Sequence, residues 1–367
     1  MKCPPHWGDV VMDALTPVEI GRKMEALGIW DSLLPFNWII KPTGTVFPYF
    51  CTCLKGEAQH VKVRFLMLEG WQTFHDYIHV RVDRNFGFYS TPMEMPHFEM
   101  VVFSGGDVHV FRHDPGYMPR ALGARESELC AKVMWEAYGV MMRLETDGNL
   151  PLKYAAEKAM FARVQDASGN WADSPMEIPP MRPYVEEISF PKANLAKAKD
   201  MPLADGYQIE LDFRILPNVM TREERARCAY ELLAVDSASG ERIFSDRTSV
   251  VPDSGLKGMW LQMPSKVLER LIEGQRLPAQ IKVTSGRVFR LLRFLSHELP
   301  IKLSLHDRLE KLEEAYTETK TTSAPEKNEN DDSSISTSYL VIGGAVVVAS
   351  LGAGSIFLFK TKFSAKS

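Results

Sequence analysis

The sequence predicts an α+β domain at the N-terminus, then a mixed α/β domain, and a single transmembrane helix near the C-terminus. Strand-like and helix-like segments mix without a regular β-α-β alternation over residues 1–145. From residue 206, three strand-like runs precede an alternation of helices and strands. Residues 339–359 then form an apolar stretch without a charge. These three observations predict the fold class.

Composition allows two folded domains and argues against some functions. The chain has 367 residues, of which 45% are hydrophobic, enough to bury sizeable cores. Its five cysteines are scattered and suggest no disulfide framework, which fits a reducing compartment. The net charge of −4 argues against non-specific nucleic-acid binding, because that binding depends on neutralising phosphates. The first residues lack the apolar core of a signal peptide.

The N-terminal domain is predicted to span residues 1–145. Thr16-Pro17 is a typical N-cap and first-turn pair, so a helix should begin there. Residues 98–111 predict a hairpin that turns at Ser104-Gly105-Gly106-Asp107. The run GWQTFHDYIHV fits either a helix or a strand, and a long amphipathic helix should begin near Arg125.

Residues 146–205 are predicted to be a connector, because Gly and Pro interrupt them repeatedly. Within the connector, a strand pair is expected to turn at Ser168-Gly169-Asn170.

The C-terminal domain is predicted to span residues 206–317. In GYQIELDFRIL, alternation places Ile209, Leu211 and Phe213 towards a core. The predicted order of three strands followed by αβαβα is that of the ribonuclease H-like fold, although other mixed α/β layouts also fit. A helix of this domain is expected to begin at Pro264-Ser265, and Ser285 is expected to cap the next one.

The C-terminal tail predicts a membrane anchor. Residues 318–338 are polar and read as a disordered tether. The 21 residues Tyr339–Phe359 would span roughly 31 Å as a helix, close to the thickness of a bilayer's hydrocarbon core. Residues 360–367 form a basic tail. We therefore expect a tail-anchored, single-pass membrane protein with the bulk of the chain in the cytoplasm; a buried core helix is the alternative.

The same C-terminal tail predicts binding partners. The lipid bilayer is the predicted partner of Tyr339–Phe359, and small residues in this segment would also allow a homodimer through close helix contact. A protein partner is expected but not identified, and a nucleic acid is not expected.

Two regions resemble a known family. FRHDPGYMPRALGARESELC resembles the Phe-Arg and Pro-Gly-Tyr signature in the N-terminal domain of an uncharacterised bacterial two-domain family. ELLAVDSASGERI and LPIKLSLHDRLEKLEEA resemble that family's C-terminal domain of unknown function. The resemblance covers roughly residues 20–317 and implies no activity, and the predicted membrane tail is not typical of the family.

Asp212 is the strongest candidate for metal chemistry. Ribonuclease H-like enzymes hold two divalent metals with acidic residues at fixed sheet positions, and Asp212 resembles the first of these. The fourth strand should supply a second acid, but it reads Ile281 to Gly286 with Lys282 and no carboxylate. One carboxylate cannot align two metal ions. We therefore interpret Asp212 as a solvated or salt-bridged strand residue.

Histidines are concentrated in the first domain. Five of the nine lie in one stretch: His75, His79, His97, His109 and His113. A zinc site needs three or four converging ligands, and nothing in the sequence shows that these histidines converge. We interpret them as surface or hydrogen-bonded residues.

The remaining motifs predict no chemistry. Cys51 and Cys53 share a strand face and are expected to be a packed, reduced pair. Arg287, Arg290 and Arg293 form a basic stripe, which is expected to be a solvated helix face. Phosphate-binding loops and nucleophile elbows are absent from the sequence. We identify no catalytic, cofactor-binding or metal-ligating residue and no cofactor.

The functional hypothesis is a membrane-tethered, non-catalytic binding or adaptor protein. One alternative is a metal-dependent hydrolase whose site comes from the histidine-rich stretch. The other is a nucleic-acid-handling protein related to mobile elements.

Overall fold

The computed structural model describes residues 15–33, 36–56, 60–82, 94–180, 188, 191–220, 225–250, 253–322, 337–342 and 345–350. Helices in these ranges are α1 (Pro17–Leu27), α2 (Trp30–Leu33), α3 (Gly70–Val82), α4 (Ala124–Thr146), α5 (Lys192–Lys199), α6 (Gly255–Glu273), α7 (Gly286–Glu298) and α8 (Glu310–Thr322). Strands are β1 (Asn37–Lys41), β2 (Tyr49–Lys55), β3 (Val61–Glu69), β4 (His97–Phe103), β5 (Val108–His113), β6 (Ala159–Gln165), β7 (Trp171–Glu177), β8 (Leu203–Met220), β9 (Cys228–Asp236), β10 (Arg242–Ser249), β11 (Leu277–Val283), β12 (Lys302–Leu305), β13 (Thr337–Ile342) and β14 (Ala345–Ser350).

The N-terminal unit is built on a seven-stranded sheet in the order β5-β4-β3-β2-β1-β6-β7. Neighbouring strands are antiparallel except β1 and β6, which are parallel. Alternate strand residues face α1, α2 and α4 on one side and α3 on the other, so both faces of the sheet are buried.

Local signals determine several boundaries of this unit. Helix α1 begins after Thr16 as predicted, and Thr16 and Glu19 form a reciprocal capping box at its start. The predicted β4–β5 hairpin is confirmed, with Gly106 at φ 84° in its turn. The ambiguous segment is the helix α3.

The first sheet extends into the predicted connector. Strands β6 and β7 pair as expected, with a turn over residues 166–170, but β6 also pairs with β1. The sheet therefore ends at Glu177 rather than before residue 146. Sequence patterns did not show this because β1 and β6 are more than 100 residues apart.

The C-terminal unit is built on a five-stranded sheet in the order β10-β9-β8-β11-β12. Strands β8, β9 and β10 are antiparallel, whereas β11 lies parallel to both β8 and β12. Helices α6 and α7 pack on one face of the sheet, and α8 packs on the other. The elements of this unit come in the predicted order.

The start of one helix in this unit differs from the prediction. Ser285 caps α7 as predicted, accepting a hydrogen bond from the N–H of Val288 at 3.3 Å. Helix α6 begins at Gly255, so Pro264 lies inside it rather than at its start. Met259, Trp260 and other apolar residues before the proline are buried in the core, and this tertiary packing outweighs the helix-breaking tendency of proline.

The predicted transmembrane helix is wrong. Thr337–Ile342, which includes the first residues of the proposed anchor, and Ala345–Ser350 within it form two antiparallel strands. In the part of the chain that the structure describes, no helix has the length and apolar character needed to cross a bilayer. The run is rich in β-branched Val and Ile, and the chain between the strands reads Gly343-Gly344, a pair typical of tight hairpin turns.

The predicted tether begins inside a helix. Helix α8 extends to Thr322 and so takes up the first residues of the predicted tether. The rest of the tether to residue 336, residues 351–359 and the basic tail lie outside the described residues.

Candidate functional site

Asp212 lies in the centre of the second sheet, on the face that α8 covers. Strand alternation along β8 places Glu210, Asp212 and Arg214 on this face, opposite the core residues Leu211 and Phe213. The Asp212 residue is only 1% exposed. A buried carboxylate needs partners, because removing its charge from water is costly.

Both carboxylate oxygens of Asp212 have partners. Oδ1 accepts the backbone N–H of Phe213 at 2.9 Å. Oδ2 accepts Nε of Arg214 at 3.0 Å and the hydroxyl of Thr284. Thr284 follows β11, where a second acidic residue would be needed for two-metal chemistry. The cation beside Asp212 is therefore a guanidinium from its own strand.

Arg214 is held in place from several sides. Its guanidinium lies 2.6 Å from a carboxylate oxygen of Glu313 on α8 and stacks over the ring of Tyr316, 4.8 Å from its centre. Burial alone would lower the pKa of Arg214, but the carboxylates of Asp212 and Glu313 raise it above its ordinary value. Arg214 is thus a fixed positive charge at this position.

The other acidic residues on this face have structural roles. Glu210 accepts the N–H of Leu312 at 2.9 Å, which satisfies a backbone donor in the first turn of α8. Glu231 on β9 is fully buried and accepts the hydroxyl of Ser245 at 2.7 Å. Among the described residues, these carboxylates do not converge into a metal-binding group. The interpretation of Asp212 as a salt-bridged strand residue is confirmed, although Asp212 is not solvated.

The histidines of the first unit separate into two groups. His75 on α3 lies 2.9 Å from the carbonyl oxygen of Pro179, and His109 is exposed on β5. The side chain of His79 is outside the described part. His97 and His113 come together in the interior, so the expectation of surface or hydrogen-bonded histidines is wrong for His113.

His97, Glu99 and His113 form one buried cluster, which we call the triad. His97 on β4 lies directly opposite His113 on β5, and Glu99 follows on the same face of β4. Their potential ligand atoms all lie within 4.8 Å of one another. Nε2 of His113 is 2.6 Å from Oε2 of Glu99, and Nε2 of His97 is 3.9 Å from the same oxygen. The two imidazole rings stack with their centres 4.2 Å apart.

The triad is deeply buried, with exposures of 0% for His97, 3% for Glu99 and 1% for His113. Burial lowers the pKa of His97 to about 4, so its imidazole is neutral at pH 7. Burial would by itself raise the pKa of Glu99, but the positive charge of Arg64 holds it well below the ordinary value. Arg64 on β3 donates a hydrogen bond to the other carboxylate oxygen of Glu99.

Three ring nitrogens of the triad make no hydrogen bond to the described residues. Nδ1 of His97 lies 2.8 Å from the carbonyl oxygen of Met95, so this nitrogen carries the proton. Nε2 of His97 and both ring nitrogens of His113 are buried without a hydrogen-bond partner among the described residues. The short contact between His113 and Glu99 is a close approach without hydrogen-bond directionality. Buried polar atoms of this kind are rare and call for an explanation.

A signal for the triad was present in the sequence. The predicted hairpin is present, but Phe103 pairs with Asp107 around a loop of residues 104–106, and this register places His97 opposite His113. A turn over all four residues 104–107 would have paired Phe98 with His113 instead. The i and i+2 spacing of His97 and Glu99 then places both on one face of β4. The histidines were visible as a group in the sequence, whereas Glu99 was missed because its place beside them depends on the pairing of the two strands.

The Pro-Gly-Tyr signature connects the two units. The carbonyl oxygen of Gly116 accepts the N–H of Cys228 at 3.0 Å, and the N–H of Met118 donates to the carbonyl oxygen of Ala226 at 3.1 Å. The Met118 side chain is buried in the core of the C-terminal unit. Tyr230 of β9 donates a hydrogen bond to Glu94, 2.9 Å away. The signature is therefore a docking segment between the units.

The cysteine pair and the basic stripe can also be compared with their predictions. Cys51 and Cys53 are buried free thiols on the same face of β2, as predicted. The basic stripe is not wholly solvated, because Arg287 is buried with its guanidinium over the ring of Trp260, 3.9 Å from the ring centre. Arg290 and Arg293 are exposed.

Comparison with known proteins identifies part of the chain. No curated protein and no solved structure matches it. Residues 194–319, from α5 into α8, match the model of a domain of unknown function (DUF6930). This match agrees with the resemblance of the C-terminal segments to a domain of unknown function.

Proposed function

We propose that this chain is a non-catalytic binding or adaptor protein. The observation that carries the proposal is the ion pair between Asp212 and Arg214 in the centre of the second sheet. A metal-dependent nuclease would need several carboxylates free to ligate cations at this place. Here Asp212 is committed to Arg214 and Thr284, while Glu210 satisfies the first turn of α8.

Helix α8 covers the sheet face that carries Asp212, and this supports the same conclusion. The Tyr316 hydroxyl donates to the backbone carbonyl of Glu231 at 3.1 Å, which ties α8 to β9. Leu312, Ala315 and Tyr316 pack on the sheet beside the ion pair. A phosphodiester substrate could reach Asp212 only if α8 moved away and Arg214 left its carboxylate.

The alternatives have less support. A metal-dependent hydrolase would need a metal centre open to substrate, whereas the triad in the first unit is buried. A nucleic-acid-handling protein would be expected to carry excess positive charge, but this chain has a net charge of −4. The membrane tether is not part of the proposal, because its helix is not present among the described residues. A location in the cytoplasm stays a prediction.

Hydrolysis assays test the absence of catalysis. The full chain and its Asp212→Asn variant are incubated with labelled single- and double-stranded DNA and RNA in the presence of Mg²⁺ or Mn²⁺. We expect no cleavage by either protein above that of a matched Asp236→Asn control, in which the changed carboxylate lies in a solvent-exposed turn. Metal-dependent cleavage that Asp212→Asn abolishes and Asp236→Asn retains would refute the proposal.

Partner capture tests the binding role. The immobilised full chain is expected to retain a saturable protein partner, and Asp212→Asn is expected to retain it equally once folding is verified. Its stability should fall by about 1–3 kcal/mol, because the partly exposed Arg214 loses a buried partner. Absence of any saturable partner would contradict the binding role, independently of the cleavage result.

A further inference from the structure

We propose that His97, Glu99 and His113 bind one divalent transition-metal ion between strands β4 and β5. This site lies in the N-terminal unit, outside the matched domain, and it does not depend on the proposed binding role. It is buried, so the ion would stabilise the hairpin against the sheet rather than act on an external substrate.

The donor set selects the class of metal. Two imidazole nitrogens and one carboxylate oxygen suit Zn²⁺, Fe²⁺ and related first-row ions. Mg²⁺ and Ca²⁺ prefer sites made of oxygen ligands alone and are not expected here. We take Zn²⁺ as the reference ion because it accepts four-coordinate sites of mixed nitrogen and oxygen ligands.

His97 is already prepared as a ligand. Its Nδ1 donates to the carbonyl oxygen of Met95, so the lone pair is on Nε2, the nitrogen nearer Glu99. Metal-binding histidines commonly donate their second nitrogen to a backbone carbonyl in this way, because the contact fixes both the tautomer and the ring orientation.

The spacing of the donor atoms fits a common centre after a small adjustment. Ligands about 2.1 Å from a tetrahedral ion lie roughly 3.4 Å from each other. The two Nε2–Oε2 distances in the triad, 2.6 and 3.9 Å, lie on either side of that value.

One ring must turn for both imidazoles to ligate. The rings are nearly parallel, with 13° between their planes, so their in-plane lone pairs do not meet at one point. His97 is held by Met95, whereas His113 makes no hydrogen bond through either ring nitrogen among the described residues. His113 is therefore the ring that rotates, and a metal ion would supply the partner that its buried nitrogen lacks.

The charge of the site indicates what completes it. A divalent ion, the Glu99 carboxylate and the neighbouring Arg64 guanidinium leave an excess of positive charge. The remaining coordination position therefore suits hydroxide or another small anion rather than a neutral ligand.

Metal analysis of the full chain tests the proposal. The purified protein is stripped with a chelator and titrated with Zn²⁺, and with Co²⁺ as a spectroscopic probe. We expect one equivalent per chain and visible Co²⁺ bands typical of nitrogen and oxygen ligands. His113→Phe keeps a flat ring beside His97 but removes both nitrogens, and we expect it to weaken Zn²⁺ binding more than about 100-fold, beyond the usual effect of outer-shell changes.

A matched control separates this site from other histidines. His109→Ala changes the exposed histidine on the same strand and should bind Zn²⁺ as the wild type does. Equal binding by His113→Phe and the wild type would overturn the proposal, as would a folded wild-type chain that binds no Zn²⁺ or Co²⁺. If His113→Phe does not fold, zinc-edge X-ray absorption of the wild type decides the question: two imidazoles support the site, and their absence overturns it.

Discussion

Replacing Gly116 with alanine should weaken the junction between the two units. Gly116 adopts φ 81°, a left-handed conformation that residues with a Cβ atom rarely adopt. A Cβ atom at this position would lie 2.0 Å from Cγ2 of Val250, far inside van der Waals contact. Val250 belongs to the buried core of the C-terminal unit, so it has little room to move.

Two costs contribute to the expected loss of stability. The left-handed backbone costs roughly 1–2 kcal/mol for a residue with a side chain. Forcing an extra methyl group into a packed core costs about 1–3 kcal/mol. If the two costs add, Gly116→Ala should lower the free energy of unfolding by about 2–5 kcal/mol.

Two other glycines separate these costs. Gly106 has nearly the same φ, 84°, but no atom of the described residues lies within 4 Å of the position that a Cβ atom would take there. Gly106→Ala should therefore show the backbone cost alone. Gly105 has neither a positive φ nor a close neighbour in the described part of the chain, and Gly105→Ala should be almost neutral.

Urea denaturation monitored by circular dichroism measures the three variants, and limited proteolysis reports whether the units separate. A Gly116→Ala variant that is no less stable than Gly106→Ala would refute the predicted packing cost. The double variant Gly116→Ala/Val250→Ala provides a further check, because removing Cγ2 should recover part of the packing cost.

Other contacts give shorter predictions. Tyr230→Phe removes the hydrogen bond to Glu94 and should cost about 1–3 kcal/mol in urea denaturation; an unchanged midpoint would contradict this. Hydrogen bonds from Arg120 lower the pKa of Glu126 to about 2 from 4.5, so this carboxylate stabilises the fold fully above about pH 4.5 and loses its contribution as the pH falls towards 2. The stability difference between the wild type and Glu126→Gln should therefore shrink over that range, and a constant difference would argue against the assignment. Burial raises the pKa of every cysteine thiol in the described part, so iodoacetamide should modify them only after denaturation, and rapid labelling of the native protein would contradict their burial. These thiols are Cys51, Cys53, Cys130 and Cys228.

Local patterns in the sequence were sufficient where neighbours along the chain make the contacts. The cap at Thr16 and the hairpin turn at Ser104–Asp107 are set by residues three or four positions apart. Apolar alternation along β8 likewise identified the face that packs in the main core, and with it the opposite face, on which Asp212 lies. Short-range hydrogen bonding and strand periodicity account for these results.

The membrane prediction shows how a local pattern can mislead. An uncharged run of 21 residues satisfies the length criterion for a transmembrane helix. The same run contains many β-branched residues and a Gly-Gly pair, which favour a strand hairpin equally well. Hydropathy measures how apolar a segment is and does not choose between these two backbone conformations.

The sequence by itself determined the order of the elements in the C-terminal unit, the match of residues 194–319 to a domain of unknown function, and the absence of a second acidic residue on the fourth strand of the C-terminal sheet. Only the tertiary structure decided that β6 joins the first sheet, that the Pro-Gly-Tyr segment docks into the second unit, and that His97, Glu99 and His113 meet inside the first. The physical reason is the range of the interactions. Caps, turns and alternation depend on near neighbours, whereas burial and convergence of side chains depend on residues that only the packed sheets bring together.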